Sequence, residues 1–387
     1  MFGNLKQKLV TDETLIGLAL ERRLEIAGVF PDKEEAISLL KSKSLRVYLG
    51  IDPTGPDIHL GHTIPLLFLK QLWLLGHAPV IVIGDFTARI GDPTGKDSAR
   101  KPLSPDQINE NAKDYLEQIY TILPKGSFEI CHNGDWLDKL TFKDVVQLAS
   151  HVTVQQMIQR DMFQERLKNE RPVGLHEFLY PLMQGYDSVA MEIDGEVGGN
   201  DQVFNMLVGR DLEKKLLGKD KLVFATRLLV NSGSGKKMSK SEGELIALSD
   251  SPQEMRRKVL MTDDSMIKTV FQLCTEKPQD WIDGKQKEME SGRNPKEWKE
   301  ELSDEIVKMY HGEEGVSKSR EPVVSDGAGT SVVSYISGWL SISKSEVKKL
   351  LEQGAVEVNG RLEKSWEYNM KIGDEVKVGK GKVSKVS

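Results

Sequence analysis

The sequence predicts an α/β protein: a Rossmann-like parallel sheet with a helical insertion, then an α-helical unit, then a small α+β unit. Three observations lead there. Apolar strands at 45–51 (LRVYLGI) and 78–86 (APVIVIGDF) flank a helical stretch at 60–76 (LGHTIPLLFLKQLWLLG), the strand–helix–strand unit of a parallel sheet. A charged helical pattern runs from Pro252 to about His311. Beyond a Gly/Ser-rich stretch at 312–330, the residues from 331 onward combine one helix with short strands.

Taken in order, residues 1–40 read as helical, with Leu15, Leu18 and Leu20 amid charges and a second helix capped by Asp32 (DKEEAISLLKS). The first strand ends in the turn DPTGPD (52–57), and Gly76 closes the helix that follows. Ligands of such units bind at the carboxyl ends of the strands, so Tyr48 to His62 should line a mouth. A largely helical middle spans about 104–185, and LVFATRLLV (222–230) reads as another strand before the loop NSGSGKKMSKSEG (231–243). The 312–330 segment reads as a linker. After it come a helix beginning near Ser343 and strands in AVEVNG (355–360) and DEVKVG (374–379). The expected boundaries are 1–245 with the insertion at about 120–178, 246–325 for the helical unit with its linker, and 331–387.

Composition narrows the function classes. With 39% hydrophobic and 29% charged residues, no apolar run long enough to span a bilayer and no secretory or transit signal in MFGNLKQKLV, a cytoplasmic protein without a membrane partner is expected. Cys131 and Cys274 are isolated, which excludes a disulfide framework or a Cys-rich zinc site. The net charge of −6 is uneven: from Lys344 onward there are ten Lys/Arg against seven Asp/Glu, a basic patch on an acidic body.

Two motifs carry chemistry. In His59-Leu60-Gly61-His62, at a helix start, two imidazoles three positions apart share a side, Gly61 admits a base or ribose, and phosphates meet the positive helix end. Zinc spacing and a third ligand cluster are absent, so no metal site is expected. The second motif, Lys237-Met238-Ser239-Lys240-Ser241, follows Ser232, Gly233, Ser234 and Gly235. Two lysines on a Gly/Ser-flanked loop suit a clamp on charge that develops as pyrophosphate departs. Either motif alone could be a solvated surface feature; in this order they support each other.

Together they resemble the two signatures of class I aminoacyl-tRNA synthetases, and the likeness extends over nearly the whole chain. It implies a nucleotide-binding fold with ATP as substrate, Mg2+ on its phosphates, and His59, His62, Lys237 and Lys240 as catalytic groups. By the same resemblance Asp52, Thr54, Gly61, Gly199, Asp201, Met238, Ser239 and Ser241 join the ATP site. Further segments are similar to the tyrosine branch: YLGIDPTGPDIHLGH (48–62), GDFTARIGDPTGK (84–96), YPLMQGYD (180–187) and GGNDQVFN (198–205). They imply that Tyr48 and Asp187 hold a phenol hydroxyl, that Thr87, Asp92, Tyr180 and Gln184 approach an ammonium group, and that Gly50 and Gln202 lie against the amino acid. Tyr180, Gln184 and Asp187 stand at i, i+4 and i+7, one face of a helix. The implied reaction is activation of tyrosine by ATP and its transfer to the 3′-terminal adenosine of tRNA(Tyr). Lys96 and Arg100 are candidates for phosphate or tRNA contact. SISKSEVKKLLEQGAVEVNGR (341–361) resembles the S-four RNA-binding module, with Lys344, Lys348, Lys349 and Arg361 on tRNA phosphates. The middle insertion resembles the family's dimer-forming segment, so a homodimer is expected. Three rivals are another nucleotidyltransferase, the tryptophan branch, and a catalytically silent RNA-binding relative.

Overall fold

The computed structural model describes residues 5–92, 103–230, 245–292, 294–320, 330–340, 342–379 and 382–386. Helix α1 (Glu13–Arg22) starts at Asp12, whose carboxylate accepts the N–H groups of Thr14 and Leu15. Strand β1 (Leu24–Phe30) follows, then α2 (Lys33–Ser42), capped by Asp32. The strand–helix–strand unit is β2 (Arg46–Ile51), α3 (Leu60–Leu74) and β3 (Ala78–Ile83). A single turn, α4 (Thr87–Ile90), then α5 (Pro105–Ile119) and β4 (Glu129–His132) complete this half of the sheet.

The insertion is made of short helices: α6 (Gly134–Leu137), α7 (Phe142–Ala149), α8 (Val154–Ile158) and α9 (Asp161–Lys168). The chain returns through α10 (Tyr180–Met191), β5 (Gly195–Gly199), α11 (Val203–Leu217) and β6 (Leu222–Thr226). The sheet order is β1-β6-β5-β2-β3-β4, parallel except for β1, which runs antiparallel to β6. Its strands β2, β3, β5 and β6 are mostly buried because helices cover both faces.

Helices α12 (Pro252–Leu260), α13 (Ile267–Cys274), α14 (Gln279–Glu290) and α15 (Pro295–Arg320) enclose a second core around Phe271, Trp298 and Ile306. Arg22 and Arg23 tie this unit to the first: their guanidinium groups donate to the carbonyls of Phe271, Gln272, Leu273 and Thr275 at the end of α13. A third core belongs to α16 (Val332–Leu340), α17 (Lys344–Glu352) and a sheet of β7 (Val356–Val358), β8 (Arg361–Leu362), β9 (Glu375–Val378) and β10 (Lys382–Lys385).

The structure departs from the sequence expectations in four places. Residues 24–30, read as helical, form β1; pairing of Val29 with Phe224 and of Phe30 with Val223 makes it the sheet's edge. Strand β4 lies within the stretch read as helical, pinned by register with β3 from Val80–Glu129 to Ile83–His132. The proposed linker is helical as far as Arg320, broken at Gly312 (φ 68°), because Val316 packs on the second core. Helix α16 was not anticipated; its Val332, Val333, Tyr335 and Ile336 fill the third core.

Candidate active site

At the carboxyl ends of the parallel strands lies a cavity of about 640 Å³. Its outer part is built by the start of α3. His59 is the N-cap: its Nδ1 accepts the N–H of Gly61 at 3.1 Å, while Nδ1 of His62 reaches the His59 N–H at 3.5 Å. The rings stack with centroids 3.7 Å apart. Since backbone N–H groups occupy both Nδ1 atoms, each neutral ring carries its proton on Nε2. His62 is open to the cavity, yet the walls crowd it; desolvation, reinforced by His59, lowers its pKa. Two neutral N–H donors at a helix N-terminus suit phosphate oxygens and would not remove protons from them.

The inner part comes from α10 and the segment after β4. Asp187 is buried; its carboxyl accepts from Trp136 Nε1 at 2.8 Å and Asn133 Nδ2 at 3.4 Å. Burial raises its pKa well above the usual carboxylate range, with Glu196 and Asp52 adding to the rise and the two N–H donors opposing it. Asn133 also donates to Thr87 Oγ1 at 3.0 Å, which links this segment to α4.

Between these ends, Asp52 accepts from Tyr180 Oη at 2.7 Å and Thr87 Oγ1 at 2.6 Å. Gly84 permits this arrangement: a Cβ there would lie 2.0 Å from Asp52 Oδ1 and 2.4 Å from Thr87 Oγ1. Burial, then the charges of Asp52 and Asp92, raise the Tyr180 pKa well above its ordinary value, so the phenol stays a donor. Gln202 Nε2 donates to Asp92 Oδ2 at 2.7 Å, and Asn205 Nδ2 donates to both Gln184 Oε1 and Gln202 Oε1 at 3.0 Å.

Gly50, Asp52, Thr54, His59, Gly61, His62, Thr87, Asp92, Tyr180, Gln184, Asp187, Gly199, Asp201 and Gln202 all line this one cavity. Tyr48 does not. Its side chain is fully buried, and its hydroxyl meets Ser188 Oγ at 3.2 Å and the Gln184 carbonyl at 3.4 Å, both on α10. Lys96, Arg100 and Lys237 to Ser241 lie outside the described residues. The chain on either side of that second motif is described: Leu229 and Leu245 line the cavity, and Ala247 bridges to His59. In the third unit Lys344, Lys348, Lys349 and Arg361 are exposed, with Lys348 over the Trp366 ring at 4.5 Å. Sequence reasoning missed Asn133, Trp136, Glu196, Ser188, Asn205 and Lys221. The run His132-Asn133-Gly134-Asp135-Trp136 could have flagged two of them, had β4 been recognised, because it leaves a parallel strand's carboxyl end.

Comparison with known proteins gives consistent matches. The family described as class I tRNA synthetases (W and Y) matches residues 40–325. The chain is 41% identical to the tyrosine–tRNA ligase of Carboxydothermus hydrogenoformans, over 95% of this chain and 98% of that protein. It is 40% identical to the corresponding enzyme of Thermotoga maritima, over 92% and 94%. Among solved structures, the Archaeoglobus fulgidus tyrosyl-tRNA synthetase complexed with L-tyrosine shares the fold with a TM-score of 0.63. That match has 20% identity and covers 80% of this chain and 99% of that one. A truncated mitochondrial tyrosyl-tRNA synthetase from Aspergillus nidulans gives a TM-score of 0.66 at 21% identity, over 79% and 92%.

Proposed function

The chain belongs to the class I tRNA synthetases of the W and Y type, and from that membership we propose that it activates tyrosine with ATP and loads it onto tRNA(Tyr). The observation that carries this reading is the polarity of the cavity. A buried carboxyl fixed by Trp136 and Asn133 stands at one end, and two neutral imidazole N–H donors stand at the other. A phenol hydroxyl placed against Asp187 adds a hydrogen bond to a buried carboxyl, one that an amino acid lacking that hydroxyl cannot make. The ammonium group then falls among Asp92, Tyr180, Gln184 and Gln202, where charge and hydrogen bonds hold it.

The substrate carboxylate attacks the α-phosphorus of ATP; the new C–O–P link forms as the bond to the bridging oxygen breaks, and pyrophosphate leaves. His59 and His62 donate to phosphate oxygens, while Lys237 and Lys240 supply positive charge as pyrophosphate forms. Leu229 and Leu245, on either side of that motif in the chain, both line the cavity and support that role. Magnesium arrives on the ATP phosphates as part of the substrate. A hydroxyl of the tRNA's terminal adenosine then attacks the acyl carbon, and AMP departs. Catalysis here is positioning plus charge stabilisation, with no covalent enzyme intermediate.

Exposed basic residues Lys344, Lys349 and Arg361 support a tRNA contact in the unit 331–387. The helical unit at 246–325 is assigned to the anticodon stem by family analogy. Among the described residues no helix is long and apolar enough to cross a membrane, and we place the protein in the cytoplasm. Exposed apolar side chains on the insertion support a homodimer. ATP–pyrophosphate exchange measured with each of the twenty amino acids tests the substrate: exchange with tyrosine is expected, and exchange with tryptophan alone, or with none, overturns the proposal.

A further inference from the structure

We propose that the buried Lys221–Glu196 ion pair is a positioning device that sets the amide orientation of Gln184, and through it the affinity for the substrate's amino group. This rests on the function proposed above. Lys221 stands just before β6 with its side chain fully buried, outside the cavity lining. Its ammonium bonds to a carboxylate oxygen of Glu196 on β5 and to Ser188 Oγ on α10, and lies 5.6 Å from the Tyr48 ring centroid. Glu196 does line the cavity, and its second oxygen accepts from Gln184 Nε2 at 3.0 Å.

The consequence is a hydrogen-bond chain with a fixed direction. With its nitrogen committed to Glu196, Gln184 turns its oxygen toward Asn205 Nδ2 at 3.0 Å; Asn205 also donates to Gln202 Oε1, and Gln202 Nε2 donates to Asp92. Gln184, Gln202 and Asp92, whose oxygens are the acceptors in this chain, all line the cavity where the ammonium is to be received. A side-chain amide can rotate by half a turn at little cost unless its partners forbid it. On the Glu196 side, what distinguishes the two ends of Gln184 is that a carboxylate accepts and cannot donate. Lys221 pairs with that carboxylate in a buried place, and Ser188 fixes the ammonium in turn. Flipping Gln184 would set its NH2 group against the substrate's ammonium, donor against donor.

The test uses the full chain and the isosteric variant Glu196→Gln. Glutamine has one acceptor oxygen, and the buried Lys221 ammonium claims it. The new NH2 group then faces Gln184 and turns its amide over. Three ligands are compared: tyrosine through its KM in pyrophosphate exchange, and tyramine and 3-(4-hydroxyphenyl)propionate as competitive inhibitors. The proposal expects tyrosine and tyramine to weaken by roughly tenfold or more, while the acid that lacks the amino group, and the KM for ATP, stay within about twofold. Lys221→Met, which takes away the cation that pairs with and orients the Glu196 carboxylate, should give the same selective loss, and serves if Glu196→Gln does not fold. Equal weakening of all three ligands marks a merely structural role and overturns the proposal, as does an unchanged tyrosine KM. Absence of tyrosine-dependent exchange in the unaltered protein would overturn the function itself, a result separate from these.

Discussion

At the scale of single residues, His77 shows how a buried imidazole couples stability to pH. It follows the turn at Gly76, is 3% exposed, and its Nδ1 accepts the Leu45 N–H at 3.3 Å. Burial lowers its pKa to about 4, below the ordinary 6.5 of the unfolded chain. Below pH 6.5 the unfolded state therefore takes up a proton that the folded state refuses, and this contribution to stability is lost as pH falls toward 4. The loss is about 3 kcal/mol at 1.4 kcal/mol per unit. In His77→Asn an amide oxygen can still accept from Leu45 but does not titrate. Denaturant unfolding at pH 7 and pH 4 should show the unaltered protein losing about 3 kcal/mol more than the variant; equal losses would refute the assignment. The same scale limits what sequence reveals. His59 and His62 were legible because their spacing and place at a helix start are local, whereas His77 looked like any polar residue after a turn.

At the scale of elements, α10 carries Tyr180, Gln184 and Asp187 on one face, and their aim depends on how closely α10 packs against α11. Gly185 faces Gly209 there: a Cβ on Gly185 would lie 2.9 Å from Leu212 Cδ1 and 3.0 Å from Gly209 Cα. Gly185→Ala should push the helices apart at a cost of roughly 1–3 kcal/mol. Because the shift moves Gln184 and Asp187, the tyrosine KM should rise along with the fall in melting temperature. A variant with normal melting and normal KM would show that the contact yields without strain. The periodicity that marks α10 is local, so that helix was legible. Strands β1 and β4 were not. β1 shows no steady alternation, with Ile26 99% exposed at the edge, and its pairing partner β6 lies some two hundred residues away. β4 is four residues long, and only register with β3 distinguishes it from helix.

At the scale of the whole molecule, the insertion leaves Phe142, Val146, Val154 and Leu175 exposed at 84%, 53%, 66% and 81%. Apolar side chains this open, grouped on one insertion, favour coverage by another chain, and a second copy is the occupant proposed above. Sedimentation of the unaltered protein should give a dimer, and Phe142→Glu with Val146→Glu should shift it to monomer without lowering the melting temperature; a monomer at the outset would remove the proposal. Taken by itself, the sequence determined what is written in neighbouring residues: the α/β class, the strand–helix–strand unit, the phosphate-suited helix start and the helical face of Tyr180, Gln184 and Asp187. Only the tertiary structure decided what depends on partners far apart in the chain. It turned the Tyr48 hydroxyl onto α10, brought Trp136 and Asn133 to Asp187, and buried Lys221 against Glu196, because each of those contacts is made by the folding of separate elements and leaves no periodic trace in either one.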